Sequence, residues 1–552
     1  MDRTPVDSGF SRREALKIGG GALALAVTGP QLAASPAAAQ TPKRGGTLRL
    51  TVLADPLHFD PHLTISFLTM VPLSLVYSRL VKVKAGPSVK PMTYPVEPDL
   101  AESWTQANET TYVFKLKKGV RWHNKPPVNG RELTADDIKF TYERFLTITG
   151  NPNKPVLEYV DRIEAPDKYT VKFTLKEPNA WFIDLLASTS TWIVAKECVE
   201  KFGDLKKAES VVGTGPWMLE RWEPNVRLSY VRNPNYFVSG LPYADNVEML
   251  VDKDPASRLA KWLGGQTDFG PEYQQAVRWL DAPVARQRKP GLQTAEYTWF
   301  TSGATGFKLV NPPFNDLRVR RALSRASNIA EVFESLAFSQ GHWTPNPAVP
   351  AAFAEWSIPI DQLNPEGRKL YEHNTAEAKR LLAEAGHPNG FKVSVEAPPV
   401  VYGPDFDDFV AITIKNWKAA GIDADLKLKE YGAFISSTIF GKFDSMFLGL
   451  RGAWADPEAY FYRWYMPGQP LNVWGVNDPK LTDMIKLQRR TFDVAKRKQV
   501  VFDIQRYLAD QALFGVDGSI KVLSAWDAHI KNFMPNNGFD YGGRLMAVWI
   551  DK

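Results

Sequence analysis

The chain has 552 residues, 44% of them hydrophobic and 23% charged, enough for several lobes of roughly 150 residues each and unlike a disordered or collagen-like polypeptide. Sixty-seven Lys and Arg against 61 Asp and Glu leave a net charge of +6, too dilute an excess for a phosphate-binding surface, which argues against a nucleic-acid partner. Aromatic residues make up 12% of the chain, and although core packing accounts for most such rings, they also suit stacking on planar or apolar ligands.

The first forty residues read as an address. Arg12-Arg13 precede the short, weakly apolar stretch Ile18 to Val27 and the small-residue end Ala37-Ala38-Ala39. This layout resembles a twin-arginine export signal, and about ten apolar residues are too few to cross a bilayer that needs roughly twenty. Cleavage after Ala39 starts the mature chain at Gln40. Cys198 is the only cysteine, which excludes an intramolecular disulfide and a lipidated N-terminal cysteine. The mature protein is therefore expected free in the periplasm.

Residues 45–53 alternate apolar and polar positions and predict a strand, followed by turns at Asp55-Pro56 and Asp60-Pro61-His62. Strands are predicted again at 112–117 and 171–175. Between them Thr134 opens a capped helix carrying Ile138, Tyr142 and Phe145 at helical spacing. Asp316 caps a helix whose apolar face is Val319, Ala322, Leu323 and Ala326, with Arg318, Arg320, Arg321 and Arg325 largely off that face and read as solvated. Asn374 starts another helix, ended by Gly386 and Pro388; a strand at 391–395, a helix at 412–420 and a strand at 422–428 follow. Strands alternating with helices predict α/β layers with largely parallel sheets.

Several chemistries lack their usual residues. No Gly-x-Ser-x-Gly, Ser-x-x-Lys, phosphate loop or dinucleotide fingerprint occurs. One cysteine rules out multi-thiolate metal sites. The close histidine pair His58 and His62 has Pro61 between its members, which favours a turn or surface role over two ligands on one helical face. A glycosidase needs only two carboxylates from distant positions, so an exported glycoside hydrolase stays open; the adjacent pairs Asp136-Asp137 and Asp407-Asp408 are expected to diverge.

An ordered set of segments is similar to the family 5 solute-binding proteins of bacterial ATP-driven importers, the dipeptide, oligopeptide and nickel group. It comprises Gly45-Gly-Thr-Leu48 with Asp60-Pro61-His62, the run Pro98 to Trp104, Phe114 to His123, Leu133 to Tyr142, Gly213 to Trp217, Arg232 to Tyr236, Pro313 to Leu323 and Ala378 to Gly386. The helix-like end near Arg497 to Asp510 completes it.

The resemblance implies a two-lobed α/β periplasmic-binding fold of type II with an extra subdomain. On that pattern lobe I takes 40–75, 190–295 and 516–552, the extra subdomain 76–189 and lobe II 296–515, with hinge crossings near 297–302 and 513–518. It also implies a monomeric receptor with no cofactor, metal or catalytic residue, which hands a peptide or similar polar solute to the permease subunits of an ABC-type importer. An oligosaccharide, opine or metal chelate is the alternative cargo.

The site residues implied are Trp454, Asp456, Arg451, Tyr297 and Trp299. Peptide-binding relatives place an ammonium-pairing Asp shortly after a Trp, then a second acid before Pro. The segment Trp454-Ala-Asp456-Pro457 has one Asp for these two positions, so Asp456 is either the ammonium partner or the acid that caps the turn. Arg451 offers a bidentate fork for a carboxylate or joins a lobe-surface ion pair. Tyr297 and Trp299 cover ligand beside the first crossing or serve as ordinary strand aromatics.

Overall fold

Alternation of apolar and polar residues makes β1 (Thr47–Val52), whose Leu48, Leu50 and Val52 turn into a core. The computed structural model describes residues 41–90, 92–272, 275–299, 303–335, 342–399, 402–451, 457–513, 515, 517–535, 540 and 545–552. A short ribbon, β2 (Val81–Val83) with β3 (Val96–Pro98), leads into an antiparallel sheet. That sheet takes β4 (Ala101–Asn108), β5 (Thr111–Leu116), β6 (Val160–Asp167) and β7 (Thr170–Leu175) in the order β4-β5-β7-β6.

The helix Ala135–Thr147 begins in the expected capping box, with the Asp137 carboxylate accepting from the Thr134 amide at 2.8 Å, and buries Ile138, Tyr142 and Phe145. β8 (Trp217–Glu223) and β9 (Arg227–Arg232) form a hairpin. β10 (Asn246–Val251) lies antiparallel to β9 and parallel to β1, giving the order β1-β10-β9-β8.

β11 (Ala276–Val277) and β12 (Gln293–Thr298) end the first half. The second half has its own mixed sheet, for which β13 (Gly303–Phe307) is one edge. After β14 (Trp343–Asn346) come β15 (Phe391–Ala397), β16 (Ile422–Leu428) and β17 (Met446–Leu450), and the order is β13-β17-β15-β16. Gly306 faces Phe447 across the β13–β17 ladder, and a Cβ there would lie 1.8 Å from the ring, so only glycine fits. β18 (Asp517–Trp526) joins the halves: Asp517 to Ile520 pair with β14, and Lys521 to Trp526 pair with β12.

Two large cores result. One runs from Leu48 to Val251 and takes in Phe269, Trp526 and Ile530 to Val548; the other runs from Ala304 to Leu513. They are the two lobes, and Trp356 packs against both.

Three expectations are corrected here. The sheets are not largely parallel: among the described ladders only β1–β10, β15–β16 and β15–β17 are parallel. Tight hairpins at 109–110, 168–169 and 224–226 supply antiparallel neighbours, and β5 lies antiparallel to β7 although the helix Ala135–Thr147 falls between them in the chain. Arg320 and Arg325 are not solvated. Both are buried, Arg320 donating to the carbonyls of Phe314 and Gln511 and Arg325 to that of Lys369 and to Glu372, so they tie the helix Leu317–Ala326 to neighbouring loops. His62 is a fully buried core residue, while His58 keeps the turn role, its Nδ1 accepting from the Asp60 amide at 3.1 Å.

Candidate ligand cleft between the lobes

The turn Asp60-Pro61-His62 anchors the lobe I side of the cleft. Asp60 accepts from Arg144 at 2.5 and 3.3 Å, and His62 Nδ1 accepts from the same guanidinium at 2.7 Å. Burial alone would raise the Asp60 pKa, but the Arg144 hydrogen bond and charge outweigh it and hold the carboxyl below its ordinary value. With this turn pinned, the Asn153 amide donates to the Thr64 carbonyl at 2.7 Å, and Ser66 caps the helix Phe67–Leu73, accepting from the Leu68 amide at 3.3 Å.

Ser66 and Phe67 then meet the other lobe. Ser66 Oγ and Tyr431 Oη share a hydrogen bond at 3.2 Å. The Phe67 ring lies 6.0 Å from Tyr431 and 6.5 Å from Tyr402, which are themselves 5.7 Å apart edge to face. Burial pushes both phenols' pKa values up, so the hydroxyls keep their protons. Next to Phe67, a depression at the carboxyl end of β1 is lined by Thr51, Leu53 and Val71, where open α/β sheets offer their crevices.

The contact line continues toward β18. Arg278 donates to Asp405 at 2.6 Å. Burial raises the Asp405 pKa and the Arg278 charge opposes it. Trp279 stacks on His342 at 3.9 Å and donates to the Lys521 carbonyl at 2.8 Å, while the Lys521 amide donates to the His342 carbonyl at 2.7 Å.

A second line of contact joins the β4–β7 region to lobe II. Arg463 donates to Asn153 at 3.3 Å, and Glu158 accepts from Tyr462 and from Gln469. Arg489 lies 3.7 Å from the Tyr462 ring and 4.6 Å from that of Tyr159, and pairs with buried Glu458 at 3.0 Å. Arg497 sits between Trp181 and Trp356, at 4.4 and 5.4 Å.

Of the residues expected in the site, Trp454 and Asp456 lie outside the described residues. Arg451, at the end of β17, is 2% exposed; it donates to the Ala348 carbonyl at 2.9 Å and its guanidinium lies 5.6 Å from the Tyr460 ring centre. Tyr297 is buried in β12 opposite Val522, its hydroxyl 3.5 Å from Ser524 Oγ. Trp299 is half-buried, and its amide donates to the Ile520 carbonyl at 2.8 Å. Ser66, Phe67, Tyr402 and Tyr431, which touch across the lobes, are not among the residues expected in the site. The one available signal is the capping residue Ser66, four residues past His62 of the Asp60-Pro61-His62 turn.

Asp268, Asp527 and His529 converge within 4.8 Å. Lys289 donates to Asp527 at 2.9 Å, and Lys552 lies 3.7 Å from Asp268, so protein cations already answer these carboxylates. Among the described residues no helix is long and apolar enough to cross a membrane.

The family profile described as "Bacterial extracellular solute-binding proteins, family 5 Middle" matches residues 95–471. The chain belongs to that family. A relative from Pseudomonas aeruginosa, di/tripeptide-binding protein 1, is 28% identical over 79% of this chain and 82% of its own length. The dipeptide-binding protein of Escherichia coli is 27% identical over 83% and 86%. Among solved structures, the DppA periplasmic binding protein of Helicobacter pylori, in complex with the peptide STSA, superposes with a TM-score of 0.80 at 22% identity, covering 92% of this chain and 99% of its own. The agropinic acid complex of AgaA from A. tumefaciens R10 gives 0.78 at 22% identity. As a family 5 member the chain is a solute-binding protein of two lobes, and the cleft just described is where those lobes face each other.

Proposed function

We propose that this protein is a periplasmic receptor that captures a peptide between its lobes and delivers it unchanged to the permease subunits of an ABC-type importer, acting as a monomer. The observation that carries the reading is likeness over about four-fifths of the chain to proteins named for dipeptides and tripeptides. The lobes follow 40–75, 190–295 and 516–552 for lobe I, 76–189 for its subdomain and 296–515 for lobe II. Export uses the twin-arginine signal of residues 1–39.

Ligand contacts come from Trp454, Asp456, Arg451, Tyr297 and Trp299. Asp456 receives the ligand ammonium and Trp454 covers it; Arg451, buried just past β17, offers its guanidinium fork to a ligand carboxylate. Native mass spectrometry of protein purified without refolding tests the reading. A co-purified mass that fragments as a peptide supports it, and a sugar, an opine, a metal chelate or a hydrolysis product replaces it.

A further inference from the structure

Two residues of lobe I and two of lobe II close one side of the cleft by direct contact. Ser66 and Tyr431 share their hydrogen bond across 365 residues of chain, and Phe67 lies against Tyr402 and Tyr431. Three residues past Tyr402, Asp405 takes the Arg278 guanidinium at 2.6 Å; beside Arg278, Trp279 stacks on His342, which is hydrogen bonded to Lys521 in β18. These contacts line up as a wall from the start of the helix Phe67–Leu73 to the strand that joins the lobes. Next to Ser66 the wall is held in place, because the Thr64 carbonyl accepts from Asn153 and Asn153 in turn accepts from Arg463 of lobe II. A ligand chain running past Phe67 would have to separate Tyr431 from Ser66 and take the place of two phenol rings that meet edge to face. An extended peptide advances about 3.3 Å per residue, so each added residue at this end would need that much further length where the two rings sit.

We propose that Tyr431, seated on Ser66 and Phe67, is the end stop of the cleft and restricts the ligand to short peptides. This rests on the peptide reading above and adds the residue that sets the length limit. Tyr431 suits the role because its ring blocks the path while its hydroxyl satisfies Ser66, so neither polar group is stranded when the lobes close. Tyr402 backs it, edge to face, and holds the ring in place.

Calorimetric titration of the mature chain with the alanine series from Ala-Ala to hexa-alanine tests the assignment, with melting curves for every variant. The wild type should prefer the dipeptide or tripeptide over penta- and hexa-alanine by more than about tenfold, and Tyr431→Ala should cut that preference about tenfold, chiefly by admitting the longer peptides. Phe67→Ala, which removes a half-buried ring from the opposite lobe, should act in the same direction and carries the test if Tyr431→Ala fails to fold. Tyr431→Phe keeps the ring and should keep the length limit. Equal affinity of the wild type for Ala-Ala and hexa-alanine overturns the wall, and an unchanged length preference in folded variants overturns the role of Tyr431. Binding of no alanine peptide by any of the proteins overturns the peptide reading itself, and the length limit with it.

Discussion

Two buried imidazoles show how single side chains tie this fold to pH. His62 accepts from Arg144 at Nδ1 and donates from Nε2 to the Trp192 carbonyl at 3.0 Å; His123 accepts from the Gly213 amide at 3.2 Å and donates to the Gly215 carbonyl at 3.0 Å. In both, a second proton would set N–H against N–H. Burial lowers each pKa to about 4, with the Arg144 charge adding to the effect at His62. Below pH 6.5 the unfolded chain binds protons that the folded chain refuses until about pH 4, so stability is full above 6.5 and is lost as pH falls through that window. Each ring contributes a loss on the order of 3 kcal/mol at the acid end. Thermal melts from pH 7 to 4.5 should fall accordingly, and His123→Gln should flatten the profile relative to wild type. At Asp456 the expected result is functional: Asp456→Asn should cost about 2 to 5 kcal/mol of peptide binding, because the ligand ammonium loses its partner, with little change in melting. A lowered melting point with unchanged affinity would assign Asp456 to the turn before Pro457.

At the scale of elements, local rules carried far. The Thr134 and Asn374 caps, the alternation of β1 and the apolar face Val319, Ala322, Leu323, Ala326 all follow from spacing and appear where expected. Sheet direction did not, because parallel and antiparallel neighbours share the same alternation and the difference lies in whether the link is a tight turn or a crossover. Arg320 and Arg325 depart from the solvated expectation for a related reason: a long cationic side chain is buried when carbonyls from distant loops meet it, and those loops are invisible in a helical wheel. Likewise Ser66, Tyr402 and Tyr431 acquire meaning only when the lobes meet, 365 residues apart in the case of the hydrogen bond. Gly306 yields a direct test of the lobe II sheet. Gly306→Ala drives a methyl into the Phe447 ring and should cost about 1 to 3 kcal/mol in chemical denaturation, while Gly386→Ala, which meets nothing within 4 Å, is strained only by its positive φ.

For the whole molecule, β18 is the element that makes one device of two lobes. It hydrogen bonds to β14 with its first four residues and to β12 with the rest, so the lobes share a strand and can rotate about it while each core stays intact. A ligand that touches both sides of the cleft favours the closed arrangement by its preference for that state. Capture by closure is thus measured most directly by small-angle X-ray scattering of the mature chain, freed of co-purified ligand, with and without a peptide it binds tightly by calorimetry. The radius of gyration should fall as the site fills, in step with one-to-one binding and with a change in Trp emission. Saturable tight binding with an unchanged radius of gyration would contradict capture between moving lobes.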